Sequence, residues 1–532
     1  MASTHQPGFL PGQDPGQTGS ARWVLTATIL ASSMAFIDST ALDIALPALQ
    51  ADLDASGKQL LWIVNAYLLL LSSLILAGGS LGDRFGRKRI FRLGILTFTA
   101  GSLAAGLAPT ADWLIAFRAV QGAGGALMVP GSLALLSATV ADHEQGRAIG
   151  TWAAFTTVTA ILGPVLGGAL ASAGLWRVVF FINLPLAAGS LAILQRHVSE
   201  SRDETAGRLD LAGMLLVTLA LGSLTYGAIE APEQGLRQPI VAGSLLLGVA
   251  SLASFLWVER RASSPLVPLR LFSSPTFAGA NLHTLLLYAA LRAAFFFLGL
   301  TLIQTHGYPA QLAGLALVPF TLLLALLSRW SGDWVDRVGP RPPLVLGPGL
   351  TGVGFGLLAL PGLGSTPANY WTTYLPGIVV MGIGMGITVA PLTTAVMTAV
   401  PRAQVGVASG VNNAVARTAG VLALAVLGGV ALLSFRQTLV GSMHTFDLSE
   451  EQMLLLADEA REFGNAQPPA GLDPTTEAAI RQVIDHALLD TFRRTALLCA
   501  GLGLLSAGAG AVFIGAETRR QQDPARRRPG DR

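Results

Sequence analysis

Five ionisable side chains stand inside long apolar runs. They are Asp38 and Asp43 in TILASSMAFIDSTALDIALP, Arg118 in LIAFRAVQGAGGA, Arg292 in LLLYAALRAAFFFLGL and Arg417 in NNAVARTAG. Charge in hydrocarbon is costly, so each needs a reason. A buried carboxyl that meets a guanidinium is pulled two ways: burial favours its protonated form and the arginine its ionised form. A group so balanced takes up and releases protons. Counting from Arg22, Asp38 lies about 24 Å along a helix, some 6 Å short of the far edge of a ~30 Å hydrocarbon core. Counting from Asp112 in the opposite direction, Arg118 lies about 9 Å below the same edge. The two are therefore expected to meet as a proton-coupling pair, with a purely structural ion pair as the alternative. Asp43 is about 140° further round the helix and nearer the rim, where it is read as a solvated residue at the mouth. Arg292 and Arg417 lie nearer the middle and are assigned to a substrate cavity, Arg292 hinting at a neutral or acidic compound. His283, on the face opposite Arg292, reads as a packing residue.

Other chemistries are excluded. A single cysteine, Cys499, rules out a thiolate metal site or an iron-sulfur cluster, and no GxxxxGK[ST] loop is present to bind ATP. No cofactor and no metal are expected. The 532 residues are 52% hydrophobic and 12% charged, about half the ~25% charge of a soluble domain. The bilayer must be the main solvent, and the net charge of +3 gives no footprint for nucleic acid. Fourteen apolar stretches, the first at 23–46 and the last at 492–516, predict an all-α integral membrane protein with both termini on one side. If that side is cytoplasmic, 23 of the 34 Lys and Arg lie inside and 8 outside, leaving Arg118, Arg292 and Arg417 within helices. This positive-inside bias predicts a bacterial inner-membrane protein with cytoplasmic termini. Residues 1–20, rich in Pro, Gly and Gln, read as a disordered tail and 517–532 as a basic cytoplasmic tail. Segment 436–491, with ten acids against three arginines, reads as an extracellular loop containing a short amphipathic helix at EEQMLLLADEAREF.

The connections repeat. GSLGDRFGRKR from Gly79 is echoed by GDWVDRVGPR from Gly332, Gly122-x-Gly124 by Gly382-x-Gly384, and GRAIG at 146 by GVASG at 406, at offsets of 253 to 261 residues. Six helices do not fill that offset. The expected organisation is a six-helix bundle over 21–208, two extra helices over 209–258 and a second six-helix bundle over 259–516. In the first loop Gly79, Asp83, Arg84, Gly86 and Arg87 form a gating motif, with Asp83 pairing to a helix N-terminus or an arginine; Asp336 and Arg337 form a second latch. The alternative is charge that merely holds the loop inside. Gly163-Pro164 with Gly167 and Gly168 marks a helix that bends and packs closely enough to stop proton leakage.

These loops, with IDSTALDIALP (Ile37 to Pro47), LIAFRAVQGAGGA, LGPVLGG (Leu162 to Gly168) and WRVVFFINLP (Trp176 to Pro185), resemble the fourteen-helix drug:proton antiporters of the EmrB/QacA type in the major facilitator superfamily. The resemblance implies the major facilitator fold in a 6+2+6 arrangement, a monomer, protons as the driving ion and a hydrophobic or amphiphilic drug or antibiotic as substrate. It also implies Asp38 as the coupling aspartate and Arg118 as its modulator, while NNAVARTAG around Arg417 resembles the family pattern, which leaves that arginine a structural role as the alternative. Two departures stand out: Asp43 occupies a position where the family motif has Asn, and Thr159 one where it has Gly. Competing readings are a metabolite exporter or symporter of the same superfamily and a proton-pumping subunit of a redox complex. The last needs buried lysines or glutamates strung along the membrane, whereas both lysines, Lys58 and Lys88, lie in loops.

Overall fold

A chain this apolar must satisfy its backbone groups within each segment, because hydrocarbon offers no water to do so. In the computed structural model the described residues are 15–515 except 141, 203–209, 361–368, 402–403, 443–445, 447, 461–462, 464–465 and 470–471. Among them there is no strand. Their long helices are α1 (Pro15–Leu53), α2 (Gly57–Phe85), α3 (Arg87–Gly106), α4 (Ala111–Thr139), α5 (Asp142–Ser172), α6 (Asn183–His197), α7 (Leu211–Gln234), α8 (Pro239–Arg261), α9 (Pro275–Leu300), α10 (Val318–Val338), α11 (Arg341–Leu358), α12 (Leu375–Thr398), α13 (Val405–Ser442) and α14 (Pro474–Phe513). Among the described residues, eleven helical segments are long and apolar enough to cross a membrane. A π-helical turn at Thr301–Thr305 extends α9, and a short helix at Ala310–Leu315 leads into α10.

Two boundaries differ from the sequence expectation. The expected tail over 1–20 is helical from Pro15, while residues 1–14 and the basic tail 517–532 lie outside the described residues. Helix α14 starts at Pro474 rather than near 492, with the Asp473 carboxylate accepting the backbone N–H groups of Thr475 and Thr476 at its N-terminus. Polar residues made 474–491 read as loop. Its buried Ile480, Ile484, Ala487, Leu488 and Thr491 nevertheless recur every three or four residues, the period of an amphipathic helix. The expected surface helix of this segment spans Glu450–Glu459.

The repeated sequence frames become repeated packing. α4 packs on α2 and α3, as α12 does on α10 and α11; α1 packs on α5 and α6, as α9 does on α13 and α14. A Cβ on Gly122 would strike Tyr67 and one on Gly124 would strike Phe98. On Gly382 and Gly384 it would meet Phe320 and Thr351, each partner displaced by 253 residues (67 to 320, 98 to 351). The halves meet along two seams. α2 and α13 touch at three levels, Leu61 and Gly428, Leu68 and Gly420, and Leu76 and Gly410. α5 meets the 310–315 helix at the end of the molecule that holds Leu53 and Gly57. α7 lies over the α2–α13 seam and is backed by α8.

Candidate functional site

α1 carries the site because its successive faces see different neighbours. Asp38 faces α4, where its Oδ2 accepts from Arg118 Nη1 at 2.5 Å and its Oδ1 from Gln121 Nε2 at 2.7 Å. Arg118 also donates to Gln121 Oε1 at 2.7 Å and from Nε to the Ile63 carbonyl at 3.3 Å, and its guanidinium stands 4.3 Å from the Tyr67 ring. None of Asp38, Arg118 and Gln121 is more than 1% exposed. A buried charge pair is tolerable when its remaining donors and acceptors are also satisfied, as they are here by Gln121, Ile63 and Tyr67. Sequence reasoning brought Asp38 to Arg118 but missed Gln121. Its one signal was the three-residue spacing from Arg118, which places both on one face of α4.

Asp43 corrects the sequence reading. It is not a solvated residue at the mouth but 8% exposed, with a bidentate grip from Arg292: Nη1 to Oδ2 at 2.5 Å and Nη2 to Oδ1 at 2.8 Å. Asp43 and Arg292 thus neutralise each other across the boundary of the halves. The pair joins α1 to α9, and Gln304 Nε2 donating to Gln50 Oε1 at 2.9 Å makes a second link between the halves. Arg292 remains on the wall of a cavity of about 250 Å³ between the halves, together with Phe36, Tyr67, Tyr288, Phe295 and Arg417. No described carboxylate pairs with Arg417, whose Nε is buried without a hydrogen-bond partner. His283 faces away, its Nδ1 3.2 Å from the Ser506 carbonyl.

The Gly-Pro segment explains itself by contact. A Cβ on Gly163 would lie 1.8 Å from Thr40 Oγ1, on Gly167 2.2 Å from the Ala41 carbonyl, and on Gly168 2.3 Å from the Ala310 carbonyl. The Pro164 carbonyl lies 2.1 Å from where a Cβ of Gly314 would stand. One face of α5 thus packs on α1 and another on the opposite half. In the first loop Asp83 pairs with Arg87 at 2.8 Å, and Arg84 lies over the Phe85 ring. Gly79 lies 3.8 Å from Pro130, measured from its would-be Cβ. The group at the α3 N-terminus is Glu200, which sequence reasoning missed: its carboxylate accepts from the Lys88 and Arg89 backbone N–H groups at 2.9 and 3.1 Å. Gly86, at φ 107°, is where the chain must turn beneath that carboxylate. Of the second latch, Arg337 is exposed and the side chain of Asp336 lies outside the described residues.

Comparison with known proteins agrees with this architecture. The chain is 34% identical over 407 residues to the multidrug resistance protein Stp of Mycobacterium tuberculosis (strain CDC 1551 / Oshkosh), covering 76% of this chain and 75% of that protein. It is 32% identical over 518 residues to the tetracenomycin C resistance and export protein of Streptomyces glaucescens, covering 95% and 93%. Among solved structures, a bacterial homologue of the human lysosomal transporter Spinster superposes with a TM-score of 0.65 at 17% identity, covering 95% of this chain and 99% of that one, a likeness of fold alone. The family model described as Major Facilitator Superfamily matches residues 28–424, and with these relatives it shows that the chain belongs to the Major Facilitator Superfamily.

Proposed function

We propose that this protein expels hydrophobic or amphiphilic drugs or antibiotics in exchange for protons, by alternating access of one central cavity to the two faces of the membrane. The observation that carries the reading is the Asp38–Arg118–Gln121 network, sealed from solvent one helix turn from cavity-lining residues of α1. Protonation of Asp38 removes the negative charge that holds Arg118, whose guanidinium stacks on Tyr67, itself part of the cavity wall. Proton and substrate are thereby linked through Arg118 and Tyr67. The names of the relatives, which include lincomycin resistance and cephamycin export proteins, support a drug or antibiotic as cargo.

In this reading all fourteen long helices span the membrane, six in each bundle, with α7 and α8 between them. Both termini are cytoplasmic in the bacterial inner membrane, the Leu53 end faces outward, and the protein works as a monomer. The outer end is then closed by the contact of α5 with 310–315 and by the Asp43–Arg292 pair. Everted vesicles given an inward-acid gradient and a panel of lipophilic fluorescent drugs provide the test. Proton-driven uptake that disappears in Asp38→Asn is expected. Uptake that is unchanged in Asp38→Asn removes the proton site, and uptake only in right-side-out vesicles would make the protein a symporter.

A further inference from the structure

The inter-half cavity holds more positive than negative charge. Asp38 is committed to Arg118 and Gln121, and Asp43 to both terminal nitrogens of Arg292. These two pairs are neutral. Arg417, on α13 across the cavity from α1, is left as a guanidinium on the wall with no described carboxylate against it and its Nε buried and unpartnered. A permanent cation with its Nε buried and unpartnered and with no described carboxylate beside it is costly, and arginine stays protonated under all working conditions. A fixed fork of N–H donors is the group that matches a carboxylate or similar oxyanion. Around it stand Phe36, Tyr67, Tyr288 and Phe295, flat apolar surfaces suited to an aromatic or polycyclic body.

We propose that Arg417 is a specificity-determining residue: it receives an anionic oxygen group, such as a carboxylate or ionised phenol, on an otherwise aromatic substrate. The proposal rests on the efflux reading for the word substrate, and it moves the recognition of acidic compounds from Arg292 to Arg417. Arg292 lines the same wall, but Asp43 has neutralised it. With such a substrate bound, both arginines on the cavity wall are paired, Arg292 by Asp43 and Arg417 by the substrate. The empty cavity keeps an unpaired cation, which disfavours closing it around nothing.

The test uses the purified full-length protein in lipid nanodiscs without any proton gradient, with empty nanodiscs subtracted. The probes are 9-anthracenecarboxylate and its uncharged methyl ester, followed by quenching of tryptophan fluorescence. The wild type is expected to bind the acid at least about tenfold more tightly than the ester, within the range of a charge-assisted bidentate contact. Arg417→Gln brings the acid to the affinity of the ester and leaves the ester within about twofold of wild type, which also shows that the cavity is intact; Arg417→Lys retains part of the preference. Equal affinity of the wild type for both probes overturns the proposal, as does a preference that survives Arg417→Gln or disappears only in Arg292→Gln. Because no gradient is used, the two readings fail separately. Arg417-dependent acid binding without proton-driven uptake in everted vesicles keeps the anion site and removes efflux. Proton-driven uptake without acid preference keeps efflux and removes the anion site.

Discussion

Asp43 and Arg292 lie 249 residues apart and still form a two-bond ion pair at the boundary of the halves. Such a pair is weak evidence of stability as a unit, because its attraction offsets the cost of taking two charges from water; removing one partner is a different matter. Arg292→Gln is expected to destabilise the protein by about 3–5 kcal/mol by stranding Asp43, with much of that recovered in the Asp43→Asn, Arg292→Gln double variant. Unfolding in detergent, followed by tryptophan fluorescence, measures this. Losses that simply add in the double variant would show that the two side chains do not depend on each other. The Asp38 network differs in kind, since Asp38, Arg118 and Gln121 all lie within one half and need no change of contact between halves to stay paired.

Helix α1 works as an element because the two turns over 36–43 touch several neighbours at once. Phe36 and Ser39 line the cavity, Asp38 meets α4, Thr40 and Ala41 press on the glycines of α5, and Asp43 reaches α9. A rotation of α1 set off at Asp38 would be felt at all of these neighbours. The α5 glycines are therefore packing devices first and bend-formers second. Gly167→Ala places a methyl group against the Ala41 backbone, where no flexible side chain can yield, and is expected to cost about 1–3 kcal/mol with loss of transport. Full transport and unchanged thermal stability in that variant would return the segment to the role of a simple kink. At the N-terminus of α3, Glu200 rather than Asp83 answers the positive end of the helix, leaving Asp83 at the end of α2 to hold Arg87 at the start of α3.

Across the whole molecule the two halves share helix packing but not chemistry. The position 260 residues after Arg118 is Ile378, fully buried, so the second half has no counterpart of the Arg118 charge. The α2–α13 seam is overlaid by α7, whereas on the other side α5 meets the 310–315 helix. At the Leu53 end the Gln311 backbone N–H donates to Ser172 Oγ at 3.2 Å, close enough for a cross-link there. Ser172→Cys with Gln311→Cys, in a Cys499→Ala background, is expected to form a disulfide that abolishes transport, with activity returning on reduction. Transport that persists in the oxidised protein would mean that this end does not open during the cycle.

The membrane character, the helical repeat and the meeting of Asp38 with Arg118 were legible in the sequence, because each depends only on composition, periodicity and depth along a helix. Depth placed that pair correctly, since both residues belong to neighbouring helices of one bundle. The partner of Arg292 and the burial of Asp43 were not legible. Periodicity tells which residues share a face but not which helix of the other half that face will meet, and the inter-half contact is decided by how α2, α5, α9 and α13 close together. The start of α14 and the role of Glu200 were hidden for a related reason: polar residues read as loop until the surface they pack against, or the N–H groups they cap, are in place. By itself the sequence determined which charges enter the membrane. Tertiary structure alone decided which of them are neutralised, because in a medium of low dielectric a charge is governed by the neighbour that reaches it, and among the described residues it left Arg417 without a carboxylate.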